Sequence, residues 1–281
     1  MPKNQRAQLV DTIQDPALAR RFNPGYVEPQ ERVVQTDRKF NLAKDKTDKR
    51  DYLFTAVAPT SLSSVDMRQY CTTMEDQGRL GSCTGHAVTS AMEILLNKAN
   101  KRIELSRLFV YYQARLLEGT ASYDAGAYLR DAVKAANKWG ASDERVWSYN
   151  IRLFNRPPAK AAYDDALKRR ITEYRRCPTF VEVRASLAQG HPVVGGIIVY
   201  SSFLSAITTK TGTVPHPNKK KEAILGGHAL CFVGYDDARE VFIVKNSWGA
   251  SWGDRGYGYI PYSIVKDTTL AMDFWAIVGT T

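Results

Sequence analysis

Three residue types, far apart in this chain of 281 residues, could together make a reactive sulfur. Cys83 follows Gly81-Ser82 and stands where a helical pattern begins. The unpaired N–H groups and the dipole of a helix N-terminus favour negative charge, so a thiol placed there loses its proton more readily, and the thiolate is the nucleophile. Taken alone, a cysteine in an apolar helix is more often a packing residue. His228 follows Gly226-Gly227 and opens a strand-like run to Val233; glycines beside a histidine let another chain approach closely. Asn246 ends a later strand in Lys245-Asn246-Ser247-Trp248-Gly249-Ala250-Ser251-Trp252-Gly253, where Trp among Gly reads as an exposed platform. A nucleophile, a base and a neutral residue to orient the base are what an activated thiol needs.

The order and spacing of these motifs resemble the papain family of cysteine peptidases. Gln77-Gly78 precedes Cys83, with the glutamine six residues upstream; His228 follows by 145 residues and Asn246 by 163. The Asn-Ser-Trp-Gly…Trp-Gly motif is complete, and Val65-Asp66-Met67-Arg68 resembles the segment that opens mature domains of the family. The resemblance runs from about Pro59 to Thr281. It implies an α+β fold of two lobes, one helical and one an antiparallel β-barrel-like sheet, and hydrolysis of peptide bonds through an acyl-enzyme. It also implies Cys83 as nucleophile, His228 as base and then acid, Asn246 as its orienter, and Gln77 as a donor to the oxyanion. Trp248 would cover the Asn–His pair on the leaving-group side with Trp252 behind it, and Gly126 and Gly227 would border the substrate.

The departures from the family pattern are specific. Thr84 stands where an aromatic usually follows the nucleophile, and Leu80 where a cysteine would allow a disulfide. Asp124-Ala125-Gly126 is the best match for the substrate-binding glycine pair, and Gly227 precedes the histidine. With Ser106-Arg107-Leu108-Phe109-Val110-Tyr111-Tyr112, this points to a bacterial branch. Two other readings keep the fold: a binding protein without catalysis, for which retention of Gln77, Cys83, His228 and Asn246 has no use, and a different acyl transfer on the same thiol.

The elements that must hold these residues follow from periodicity. Apolar residues at three- and four-residue spacing predict helices over 83–100, 106–118, 127–138 and 159–174. Short β-branched and aromatic runs predict strands over 193–200, 229–235, 241–246, 256–260 and 274–278. Helices first and strands second argue for α+β. The expected organisation is an extension over 1–58 and a peptidase domain over 59–281, with its helical lobe to about 158 and its β lobe beyond. The family resemblance further implies a specificity pocket with its floor near Asp273 and Phe274.

Hydrophobic residues make up 44% and charged ones 24%, ordinary values that exclude disordered and collagen-like chains. The net charge of +10 is spread along the chain, so no nucleic-acid partner is expected, and Lys219-Lys220-Lys221 reads as a solvated loop. No apolar run is long enough to span a membrane. The start shows no secretory signal, which leaves the cytoplasm or a signal-independent route. A monomer is the default. No CxxC pair occurs, so no metal is expected, nor any cofactor, and Cys71, Cys177 and Cys231 read as free thiols, with His86 in a packing or hydrogen-bonding role. Residues 1–58 have too little apolar periodicity to build a core. They are expected to form an inhibitory pro-segment, with Phe22–Pro29 in the cleft and 30–51 as its tether, against the alternative of an unattached arm.

Overall fold

The chain is described by a computed structural model that covers residues 34–55 and 61–281. Cys83–Lys98 forms helix α1, whose residues from Cys83 to Ile94 are all buried, so the helix is central and not amphipathic. Gly85 makes that possible. A Cβ there would lie 2.7 Å from the carbonyl oxygen of Arg107, so only glycine lets helix α2, Arg107–Leu117, cross so closely. The Ser106 side chain caps α2 by accepting from the N–H of Phe109 at 3.1 Å. Helix α3, Leu129–Lys138, packs on α2, and helix α4, Lys160–Ala166, sets Tyr163 edge-on to Phe109 at 5.3 Å.

Seven strands make the other half: β1 Ser64–Asp66, β2 Ile171–Cys177, β3 Val193–Tyr200, β4 Ile224–Asp236, β5 Val241–Lys245, β6 Tyr257–Pro261 and β7 Ala271–Thr280. They pair antiparallel in the order β2-β7-β3-β4-β5-β6, with β1 laid on the end of β4. Strand β3 is buried almost throughout and β5 entirely, hence the apolar runs over 193–200 and 241–244. Helices α5 Phe180–Ala188, α6 Ala206–Thr211 and α7 Tyr262–Lys266 complete the described elements. The fold is α+β, as expected.

The helix expected over 159–174 is shorter. It stops at Ala166, and Ile171–Cys177 instead pairs with β7, because the β-branched and aromatic residues there gain more from a ladder than from continuing the helix. Helix α5 escaped the periodicity reading. Its signal was the capping box, in which Thr179 accepts from Val181 N–H while the Glu182 carboxylate accepts from Thr179 N–H at 3.0 Å.

Residues 34–55 cross the body without helix or strand of their own, tied by parallel bridges Asn41–Gly227 and Leu53–Arg176. Leu42, Asp45 and Phe54 are buried. Asp45 accepts from the Arg130 N–H and from Trp275 Nε1 at 2.9 Å, while its own N–H donates to Asp273 at 2.6 Å. Asp51 pairs with Arg130 and Arg176.

Behind α1, Arg107 and Glu93 form a two-pronged pair, Nη1–Oε1 at 2.8 Å and Nη2–Oε2 at 2.9 Å, and neither side chain is exposed. Removing one partner strands the other charge in a dry interior. Arg107→Ala should therefore cost about 3–5 kcal/mol of stability. Urea unfolding of variant and parent measures it, and a loss below about 1 kcal/mol would show that Glu93 finds another partner.

Candidate active site

Cys83 is the first residue of α1, His228 lies in β4, and Asn246 follows the last residue of β5. Strand pairing brings the last two together, since Cys231 sits opposite Lys245 in the β4–β5 ladder. Nε2 of His228 lies 2.8 Å from Oδ1 of Asn246. The Ser247 N–H also donates to that Oδ1 at 2.8 Å, which identifies it as the amide oxygen. An amide oxygen only accepts, so Nε2 carries the proton and Nδ1 holds the free lone pair. Among the described residues, Nδ1 has no hydrogen-bond partner.

Gln77 is fully buried. Its Nε2 donates to Leu80 O at 2.9 Å, and its Oε1 accepts from Ser247 Oγ at 2.6 Å. Its N–H donates to Ser247 O at 2.8 Å, and its carbonyl accepts from Tyr149 OH at 2.9 Å. The amide is thus fixed in orientation with one Nε2 hydrogen left over. Ser247 and Tyr149 were not singled out in the sequence. Ser247 had a signal, since it stands inside the Asn-Ser-Trp motif; Tyr149 had none.

The tryptophans are not an exposed platform. Trp248 and Trp252 are each 4% exposed. Trp248 lies 5.0 Å from the His228 ring, Phe203 stacks on Trp252 at 5.7 Å, and Phe40 meets Trp248 edge-on at 5.9 Å and His228 at 6.4 Å. The Arg38 guanidinium sits over Trp248 at 5.1 Å. The platform reading missed this cover, because Phe40 and Arg38 come from a segment whose place no local pattern gives.

Glycines admit that segment. A Cβ on Gly126 would lie 2.5 Å from Asn41 O, and one on Gly227 would strike the carbonyl of Leu42. The backbone pairs there too, Leu42 N–H to Gly227 O at 3.2 Å and Gly227 N–H to Phe40 O at 3.1 Å. The Leu42 side chain rests over Gly196, with Met272 beside it. Phe22–Pro29, expected in the cleft, lies outside the described residues; among the described ones it is 38–42, part of the expected tether, that lies against His228.

Burial sets the charge state. It pushes the Cys83 thiol up to about 11, against the pull of the Ala229, Thr84 and Cys83 backbone amides. Burial also pushes His228 down to about 4; the bond to Asn246 works against this and the Arg38 charge adds to it. Both groups are neutral at pH 7 in this covered form, so the acidic thiol expected at the helix start is overridden by desolvation. His86 is pushed down to about 3 by burial, and Ser82 O lies 3.0 Å from its Nδ1. Cys71, Cys177 and Cys231 are buried free thiols.

Comparison with known proteins gives the family of the chain. A family model described as papain family cysteine protease matches residues 60–276. An uncharacterized peptidase C1-like protein of Acanthamoeba polyphaga mimivirus is 37% identical over 270 residues, covering 85% of this chain and 86% of the viral protein. Among solved structures, xylellain, a cysteine protease from Xylella fastidiosa, is similar at 33% identity with a TM-score of 0.78, covering 87% of this chain and 97% of that one. Bromelain from Ananas comosus, solved with the inhibitor E64, shares the fold at 20% identity and a TM-score of 0.59.

The covered thiol should react slowly. Because the Cys83 pKa is raised, thiolate appears only as pH climbs toward about 11. Alkylation of Cys83 by iodoacetamide in the uncut chain, followed by mass spectrometry, should therefore still be rising above pH 9. A rate that levels off below pH 8 would contradict it.

Proposed function

Since the chain belongs to the papain family of cysteine proteases, we propose that Cys83, His228, Asn246 and Gln77 are its catalytic set and that the N-terminal segment holds the full chain as a zymogen. As a cysteine peptidase it acts on peptide or protein substrates. Strongest in support of this set is the His228–Asn246 hydrogen bond beneath Trp248, which leaves the basic Nδ1 lone pair unpartnered. Every side chain involved comes from one chain, so a monomer suffices.

In the uncovered enzyme, His228 Nδ1 takes the Cys83 proton, and the two charges relieve each other's desolvation. The sulfur attacks the peptide carbonyl. The oxyanion accepts from the remaining Gln77 Nε2 hydrogen and from the Cys83 N–H, each such donor being worth roughly 10²–10³ in rate. As the carbon–nitrogen bond breaks, the imidazolium gives its proton to the departing amine. Water then gives a proton back to Nδ1 and attacks the thioester, releasing the acid and the thiol. Asn246 keeps the ring in this tautomer throughout. Gly126 and Gly227 offer bare backbone to the substrate on the acyl side; Trp248, supported by Trp252, walls the leaving-group side.

The zymogen reading draws on the segment's course. Phe40 sits on the leaving-group side and Leu42 on the acyl side, so the segment runs opposite to a substrate and offers no carbonyl in a cleavable pose. Arg38 beside His228 disfavours the imidazolium that catalysis needs.

Cys83→Ala should abolish hydrolysis of a fluorogenic dipeptide amide, and Asn246→Ala should lower kcat more than it changes KM. Wild-type kcat in Asn246→Ala would place the orienter elsewhere. The zymogen reading is tested on the full chain folded intact, with a site-specific protease sequence placed between Thr55 and Ser61. Cutting it should raise kcat/KM about tenfold or more, because the plug loses its tether; equal values before and after the cut would refute the plug.

The cover should also hold tighter in mild acid. Burial, and next the Asp273 charge, push Asp45 up to about 6, with Arg130 the facing cation; Asp51, Arg176 and a half-buried Glu118, pushed to about 7, lie around it. A raised carboxyl pKa means docking takes up a proton, so its contribution is full below about 4 and lost as pH rises through 6. The ratio of cut to uncut activity should fall between pH 5 and pH 7.5. A ratio that rises over that range would show that another group governs docking.

A further inference from the structure

Asp124 stands in the helical wall of the cleft, and no role in the reaction has been assigned to it. Its carboxylate is held on two sides. Oδ1 accepts from Tyr111 OH at 2.5 Å, and both oxygens lie 3.1–3.2 Å from the N–H of Gly81. The Tyr111 hydroxyl in turn accepts from Gly126 N–H at 3.1 Å, so the acid is tied to the glycine that borders the acyl side. The Asp124 side chain is only 9% exposed, yet Oδ2 takes one more partner, the Nζ of Lys39 at 2.7 Å. A cation from the covering segment therefore already occupies a built anionic position at the cleft.

Where that position lies along a substrate follows from Asn41. Phe40 rests on the leaving-group side against His228 and Trp248, and Leu42 lies beyond, over Gly196 and Met272. Asn41 falls between them. Its side-chain amide stands in front of Gly81, two residues before Cys83, where a Cβ on Gly81 would lie 3.1 Å from Asn41 Nδ2 and 3.2 Å from Asp124 Oδ1. Asn41 Nδ2 also donates to the backbone carbonyl of Asp124 at 3.3 Å. The space Asn41 fills lies in front of Gly81, two residues before the nucleophile, where the residue carrying the scissile carbonyl would put its side chain. A lysine or arginine there is long enough to reach Oδ2 once Lys39 has left.

The geometry points to Asp124 as the residue that selects a lysine or arginine immediately before the bond that is cut, with Lys39 holding that site in the covered chain. This rests on the catalytic set proposed above. A neutral or acidic residue at that place leaves Asp124 half-buried without its counter-charge, or faces it with a like one, so discrimination comes from both attraction and penalty.

The test uses the full chain, folded and then cut between Thr55 and Ser61, on four fluorogenic peptide amides identical except for a final Lys, Arg, Gln or Glu. The Lys and Arg substrates should exceed Gln in kcat/KM by about five- to tenfold, the worth of one partly screened ion pair, with Glu lowest. Raising salt from about 50 to about 500 mM should shrink the Lys-to-Gln ratio severalfold. In Asp124→Asn the ratio should fall to within about twofold of unity. Equal rates on Lys and Gln in the parent, or a preference that survives Asp124→Asn, overturns the assignment and leaves the peptidase site standing. If Asp124→Asn fails to fold, a parent ratio unmoved by salt overturns it instead. Absence of turnover on all four, with Cys83 unreactive to a thiol-directed inhibitor after cutting, overturns the catalytic set itself and this inference with it.

Discussion

One carboxylate joins the parts that must not move. Glu93, wholly buried in α1, grips the guanidinium of Arg107 in α2 and accepts the Leu105 N–H at 2.7 Å. Its other oxygen accepts from Thr72 Oγ1 at 2.5 Å, and Thr72 accepts from Lys245 Nζ at 3.2 Å. Lys245 is the last residue of β5, one before Asn246. A continuous polar line thus runs from the helix that begins with Cys83 to the strand that delivers Asn246. Buried networks of this kind tolerate little misplacement, because each unsatisfied member costs more than a satisfied one gains. The cleft inherits that rigidity from both sides.

Rigidity alone would leave the site inert. Cys83 and His228 are buried, and burial drives each toward its neutral form. In the catalysis proposed above, mutual charge adds to the pull of the backbone amides and of Asn246 against that cost, so the ion pair and the dry cleft arise together. A segment that keeps the cleft dry while adding an arginine near the imidazole lets desolvation act without its compensation.

Much of this could be read in the sequence because the family's motifs are local strings with fixed chemistry: Gln77-Gly78, Cys83 at a helix start, His228 behind glycines, and Asn246-Ser247-Trp248. The sheet was legible too, since β3 is apolar throughout and β5 is apolar up to Lys245. What escaped reading was non-local. Nothing in Phe40 or Arg38 says that they lie on Trp248, and Tyr149 carries no mark of its bond to Gln77. Ile171–Tyr174 looked helical because the ladder partner of this strand, β7, lies about a hundred residues on. The pull of the helix start on the thiol is visible in the sequence and present in the structure, but burial, which the sequence does not show, outweighs it.

The bare backbone at Gly126, Gly226 and Gly227 constrains how such a protein can change. A side chain at any of them would strike the segment at Phe40, Asn41 or Leu42. On the zymogen reading proposed above, a peptide reaching Cys83 between the same walls meets the same atoms. Loss of self-restraint through these three positions would thus carry loss of substrate access with it. Escape is left to the segment's own side chains and their charged partners, where one substitution can loosen the cover and leave the walls as they are. Inherited variation in latency should accordingly gather in residues 38–51 and spare the glycines.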